Sequence, residues 1–168
     1  MKYLIYFSFI LLASCTEKKT SSSFGTDSNT EQPPQSVEVS PDNTLTNRYY
    51  VPIYSDVYAD QINQKVMLSA NLSIRNMSDR DTVYISLVEY YNTDGNLVNS
   101  YLNEPIYVLP MATINFVVER DDDAGGHGAN FIIESNTKQD QIPPLIQAVM
   151  VGYVGNKALS FITEGIKL

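Results

Sequence analysis

The chain has 168 residues, 43% of them hydrophobic, 18% charged and 11% aromatic, with 19 acids against 11 bases for a formal net charge of -8. This is the composition of one ordinary globular domain with added segments, and not that of a disordered chain or a polytopic membrane protein. The acidic balance argues against nucleic acid as a partner, the single Cys leaves no internal disulfide, and the single His leaves no two-histidine metal site.

The first segment reads as an address. Lys2 precedes an apolar run from Tyr3 to Leu12, followed by Ala13, Ser14 and Cys15, the charged start, apolar middle and small-residue end of a secretory signal. The run is too short for a transmembrane helix, which needs roughly 20 apolar residues. Leu12-Ala13-Ser14-Cys15 resembles the lipobox of bacterial lipoproteins, so residues 1–14 are expected to be removed and Cys15 to carry acyl chains. Such chains hold a protein on a membrane at about 0.8 kcal/mol per buried methylene. The expected location is the cell envelope. Thr16 in place of Asp after the Cys fits the outer membrane, facing the periplasm, in a Gram-negative cell.

Residues 15–47 hold Ser21-Ser22-Ser23, Pro33-Pro34, many Thr, Asn and Gln, and only isolated apolar residues. Too little surface can be buried there to offset ordering, which predicts a flexible tether spanning roughly 30 Å root-mean-square. A single domain is expected over residues 48–168. Its strands are predicted at Tyr49 to Ser55, Leu68 to Ile74, Thr82 to Tyr91, Leu97 to Leu102, Ile114 to Val118, Phe131 to Ser135, Ile146 to Val154 and Leu159 to Thr163. The alternation of Leu68, Ala70, Leu72 and Ile74 with polar neighbours marks one dry and one wet face. Asp94-Gly95 and Gly155-Asn156 supply hairpin turns. No stretch keeps apolar residues at helical spacing over three turns, so the predicted fold is all-β: an immunoglobulin-like antiparallel sandwich of about seven to nine strands, with a small open barrel as the alternative.

The most unusual composition lies between Glu119 and Phe131. Asp121, Asp122 and Asp123 are hard oxygen donors of the kind that Ca²⁺ or another divalent cation prefers. Gly125, Gly126 and Gly128 around His127 can expose backbone groups to a ligand, with Asn130 beside them. These eight residues form a candidate ion or small-ligand loop. Against that stands a solvated loop whose charges keep a sheet edge from pairing, the favoured reading, which needs no cofactor. A hydrolase using Glu119 or an Asp with His127 is the least supported alternative, since no nucleophile motif accompanies the lone His. Ten of the 12 tyrosines lie in the domain and suit strand packing or, where exposed, a protein interface; Tyr49-Tyr50 and Tyr90-Tyr91 each place one ring on each face of a strand.

Four runs carry a family resemblance: Tyr50-Val51-Pro52-Ile53-Tyr54-Ser55, Leu72-Ser73-Ile74-Arg75-Asn76, Tyr90-Tyr91-Asn92-Thr93-Asp94-Gly95 and Gly125-Gly126-His127-Gly128-Ala129-Asn130-Phe131. Together they resemble the bacterial family known as domain of unknown function 3124, from about Tyr49 to Ile166. The resemblance implies domain limits and envelope residence but no reaction. At Asn92 the chain departs from the Asp that the resemblance leads one to expect. The functional expectation is a non-catalytic envelope lipoprotein that reaches the membrane through Cys15 and binds an envelope partner.

Overall fold

The computed structural model describes residues 44–58 and 65–168. Cys15, the signal segment and most of the predicted tether lie outside them. Among the described residues there are eleven strands and no helix: β1 (Thr44–Pro52), β2 (Asp56–Tyr58), β3 (Lys65–Arg75), β4 (Val83–Tyr91), β5 (Leu97–Ser100), β6 (Ile106–Val108), β7 (Thr113–Val118), β8 (Asn130–Lys138), β9 (Leu145–Val154), β10 (Lys157–Glu164) and β11 (Ile166–Lys167). Every pairing is antiparallel. One sheet runs β11-β1-β8-β4-β5, with β6 also on β4; the other runs β10-β9-β3-β2, with β7 also on β3. The two sheets stay open, so the fold is a β-sandwich and not a barrel.

The surplus over seven to nine strands consists of β2, β6 and β11, each of two or three residues and too short to show a period. The ordered domain also opens earlier than the composition suggests. Thr44 to Asn47, placed in the tether by their polarity, are the first rungs of β1 and pair with Lys138 to Ser135. Their polar groups are met across the strands: Thr46 Oγ1 donates to Asn136 Oδ1 (2.8 Å), and Asn47 Nδ2 donates to Thr137 Oγ1 (2.9 Å). Pairing, not hydrophobicity, recruits this segment.

The predicted dry face of β3 is confirmed, with Leu68, Ala70, Leu72 and Ile74 all buried. They meet Val51, Val83, Ile85, Val88, Phe131 and Ile133 of the opposing sheet in one core. Gly155, at positive φ, opens the two-residue turn between β9 and β10, the type II′ geometry that matches strand twist. After the β4 strand, Asn92 Oδ1 accepts from Asp94 N–H (3.1 Å) and Asn96 N–H (2.8 Å), a cap that an Asp oxygen would form equally well.

The register defines two ends. At one, β1 begins at Thr44 beside Lys138, and the loops 76–82, 109–112 and 139–144 gather. At the other, Pro52, Tyr91 and Asn130 stand side by side. Along β8 the ends are about 27 Å apart.

Candidate functional site

Three stretches distant in sequence meet at the end far from Thr44. Beyond Pro52 the chain runs beside the glycine-rich segment, Ile53 N–H donating to the Ala129 carbonyl (2.9 Å) and Ser55 N–H to that of Gly126 (3.2 Å). The β4–β5 turn closes on the same segment. Thr93 donates from both N–H and Oγ1 to the Gly125 carbonyl (2.9 Å each), while its Oγ1 accepts Gly128 N–H (2.9 Å). Inside the corner Ser55 Oγ and Tyr90 Oη are hydrogen-bonded at 3.1 Å, both side chains buried. Burial pushes the Tyr90 hydroxyl above its ordinary pKa; the Ser55 hydroxyl opposes this, and the Asp122 carboxylate adds to it.

This packing accounts for two of the glycines. A Cβ on Gly125 would fall into the Tyr90 hydroxyl and come within 2.5 Å of Ser55 Oγ. Gly126 has φ +68°, which L side chains rarely adopt. Both positions serve the fold.

The acidic run does not converge. Asp121 lies on the surface against Arg120 (3.5 Å), Asp122 Oδ1 accepts its own loop's Ala124 N–H (3.0 Å), and Asp123 is exposed. Among the described residues no group of three or more His, Cys, Asp or Glu is placed to hold a metal ion. The eight candidate loop residues therefore divide. Gly125 and Gly126 build the corner, Gly128 is held by Thr93, and Asn130 opens β8 between Pro52 and Tyr91. Asp121, Asp122 and Asp123 face outward or cap.

His127 has a partner that the sequence did not disclose. Its Nδ1 pairs with Oδ1 of Asp56, a carboxylate only 3% exposed, whose Oδ2 accepts from Lys65 Nζ at 3.4 Å. The Tyr58 ring lies against the imidazole with centroids 4.8 Å apart, and Lys65 Nζ lies 6.0 Å from the Tyr58 ring centre. The buried carboxylate thus stands between the Lys65 ammonium and the His127 imidazole. Tyr58, Lys65 and the outer part of His127 remain open to solvent. Ser55 does not complete a nucleophile set with His127, because its hydroxyl is turned inward to Tyr90.

Asp56 and Lys65 carried no signal of their own in the sequence; Tyr58 stood out only as one of the domain's tyrosines, and Thr93 only as part of a run that carries the family resemblance. The visible clue was the adjacent Ser55-Asp56 pair interrupting an apolar strand run, and it says nothing about which loop closes over it.

A family model described as "Protein of unknown function (DUF3124)" matches residues 46–168. No curated protein matches the chain. Among solved structures, the crystal structure of Thermotoga maritima 1070 is similar at 16% sequence identity, covering 71% of this chain and 92% of that one with a TM-score of 0.45.

Proposed function

The chain belongs to the DUF3124 family over residues 46–168, and we propose that it is a lipid-anchored envelope module that binds a protein partner through the far corner of its sandwich and turns over no substrate. The observation that carries this reading is the Asp56-centred cluster. Main-chain bonds from β1, the β4–β5 turn and the 125–130 segment fix the corner, so that Tyr58, Lys65 and His127 are presented from a rigid base. Aromatic and basic side chains on a preorganised frame suit a partner because little ordering entropy is lost on binding. Exposed Tyr153 and Val154 of β9 extend the apolar surface at this end. The lipobox-like Leu12-Ala13-Ser14-Cys15 supports the anchor and the envelope location.

Co-purification of the full chain after cross-linking in native membranes tests this reading. A partner that is reproducible with the parent and lost in a Tyr58→Ser, His127→Ala variant is the expected result. Recovery of no reproducible partner, or one indifferent to both substitutions, would overturn it. Release of a Cys15→Ala chain from the membrane fraction checks the anchor separately.

A further inference from the structure

The end of the sandwich nearest Cys15 in the chain has a surface of a different kind. The loops there are tied together and to the start of β1. Met111 N–H donates to the Ser78 carbonyl (3.0 Å), Asn76 N–H to that of Ala112 (2.9 Å), Gln141 Nε2 to that of Thr82 (3.0 Å), and Lys138 stands opposite Thr44. This end carries exposed Leu45, Met77, Leu109, Met111 and Ile142. Its charges balance, with Arg75, Arg80 and Lys138 against Asp79, Asp81 and Asp140, although the whole chain stands at -8. The acidic run Asp121 to Asp123 belongs to the stretch leading into the opposite corner.

Met111 is the sharpest of these features. Leu109-Pro110-Met111-Ala112 is a β-turn closed by Ala112 N–H on the Leu109 carbonyl (3.0 Å), with Pro at its second position and φ +59° at its third. That is the pattern of a type II turn, whose third position favours Gly or Asn. The residue present is Met, the one non-glycine residue at positive φ among the described residues, and its side chain is 71% exposed. The domain accepts local strain and obtains no burial in return. A backbone outlier of this kind points to a contact outside the domain.

We infer that this end of the sandwich seats on the lipid bilayer, with Met111, Leu109 and Met77 entering the acyl boundary. The inference rests on the proposed acylation of Cys15, which would place a membrane within the reach of a segment that ends at this face. A net-neutral rim with apolar tips meets a lipid surface without the repulsion that the acidic remainder of the chain would suffer. The seated domain holds its Asp56–His127 corner outward, toward a partner in the aqueous compartment.

The test uses the full acylated chain in phosphatidylcholine vesicles, some carrying brominated acyl chains, with an environment-sensitive fluorophore on Met111→Cys or, at the opposite end, on Asn156→Cys. Flotation with the vesicles reports the anchor. The expected result is a blue-shifted emission at position 111 that brominated lipid quenches at least twofold and that persists in high salt, with neither effect at position 156. A chain that floats while both probes stay water-like overturns the seating and leaves the anchor standing. A chain that does not float overturns both. A probe at 111 that shifts only in native membranes, and not on protein-free vesicles, makes this end a protein contact and also overturns the proposal. Met111→Asp, read by a fluorophore on Met77→Cys, is expected to abolish the shift without detaching the chain.

Discussion

At the scale of single residues, two positions show backbone geometry and side chain set against each other in opposite ways. At Gly125 the geometry demands the residue that is present. Gly125→Ala drives a methyl into the Tyr90 hydroxyl and the Ser55 side chain, and is expected to cost about 3 kcal/mol in urea unfolding. Tyr90→Phe alone should cost about 1 kcal/mol for the lost bond to Ser55. Combined with Gly125→Ala it should recover part of the loss, because one removed oxygen relieves the closest contact. Strictly additive costs would show that the clash lies elsewhere. At Met111 the geometry asks for a residue that is absent. Met111→Gly is expected to stabilise the domain by about 1 kcal/mol by removing the left-handed strain. A destabilised variant would mean that the Met side chain packs usefully within the domain. Both glycine-rich and aspartate-rich runs stood out in the sequence, where a solvated acidic loop is the favoured reading; that Gly125 packs against Tyr90 and Ser55 was not legible there.

At the scale of elements, Asn76 shows how a loop is held by one side chain. It follows the last residue of β3 and is 3% exposed. Its Nδ2 donates to the carbonyls of Asp81 (2.7 Å), Val108 (3.0 Å) and Leu109 (3.1 Å), while its Oδ1 accepts Ser78 N–H (3.0 Å). The β3–β4 and β6–β7 connections are thereby fastened to each other. Asn76→Ala should lower unfolding free energy by about 3 kcal/mol, since the buried Ser78 N–H loses its acceptor and the buried Val108 carbonyl loses a donor. Asn76→Asp should cost more at neutral pH, where a carboxylate would face carbonyl oxygens; denaturant titrations that rank the two in reverse would contradict this. The long strands were legible because their apolar residues alternate over four or more positions, as from Leu68 to Ile74. The short β2, β6 and β11 were not, since two or three residues carry no period and owe their conformation to the neighbour they pair with.

At the scale of the whole molecule, burial raises the pKa of Tyr49 and Tyr90 above the ordinary phenol value of about 10. Their contribution to stability is therefore fully present below about pH 10. Above that value the unfolded chain releases protons that the folded chain retains, and stability falls. Each of these residues should remove at most about 1.4 kcal/mol per pH unit until its folded-state value is passed. Urea midpoints measured from neutrality upward should stay level with respect to tyrosine and then drop above about pH 10, with a shallower drop in Tyr90→Phe. A parent protein that stays level to pH 11.5 or so would remove this account. Among the described residues, the corner holding Asp56 and His127 lies at one end of the sandwich, and the charge-balanced loops around Met111 lie at the other.

The sequence by itself determined the fold class, the positions of the long strands, the approximate extent of the family match and the lack of an internal disulfide. These follow from local periodicity, turn residues and counts, which need no knowledge of what lies across the core. Only the tertiary structure brought Asp56 to His127, closed Thr93 on Gly125 and Gly128, and put Met77, Leu109, Met111 and Ile142 at the end where β1 begins. Those contacts join residues separated by tens of positions, and antiparallel register fixes them: it can be read from two strands together and from neither alone.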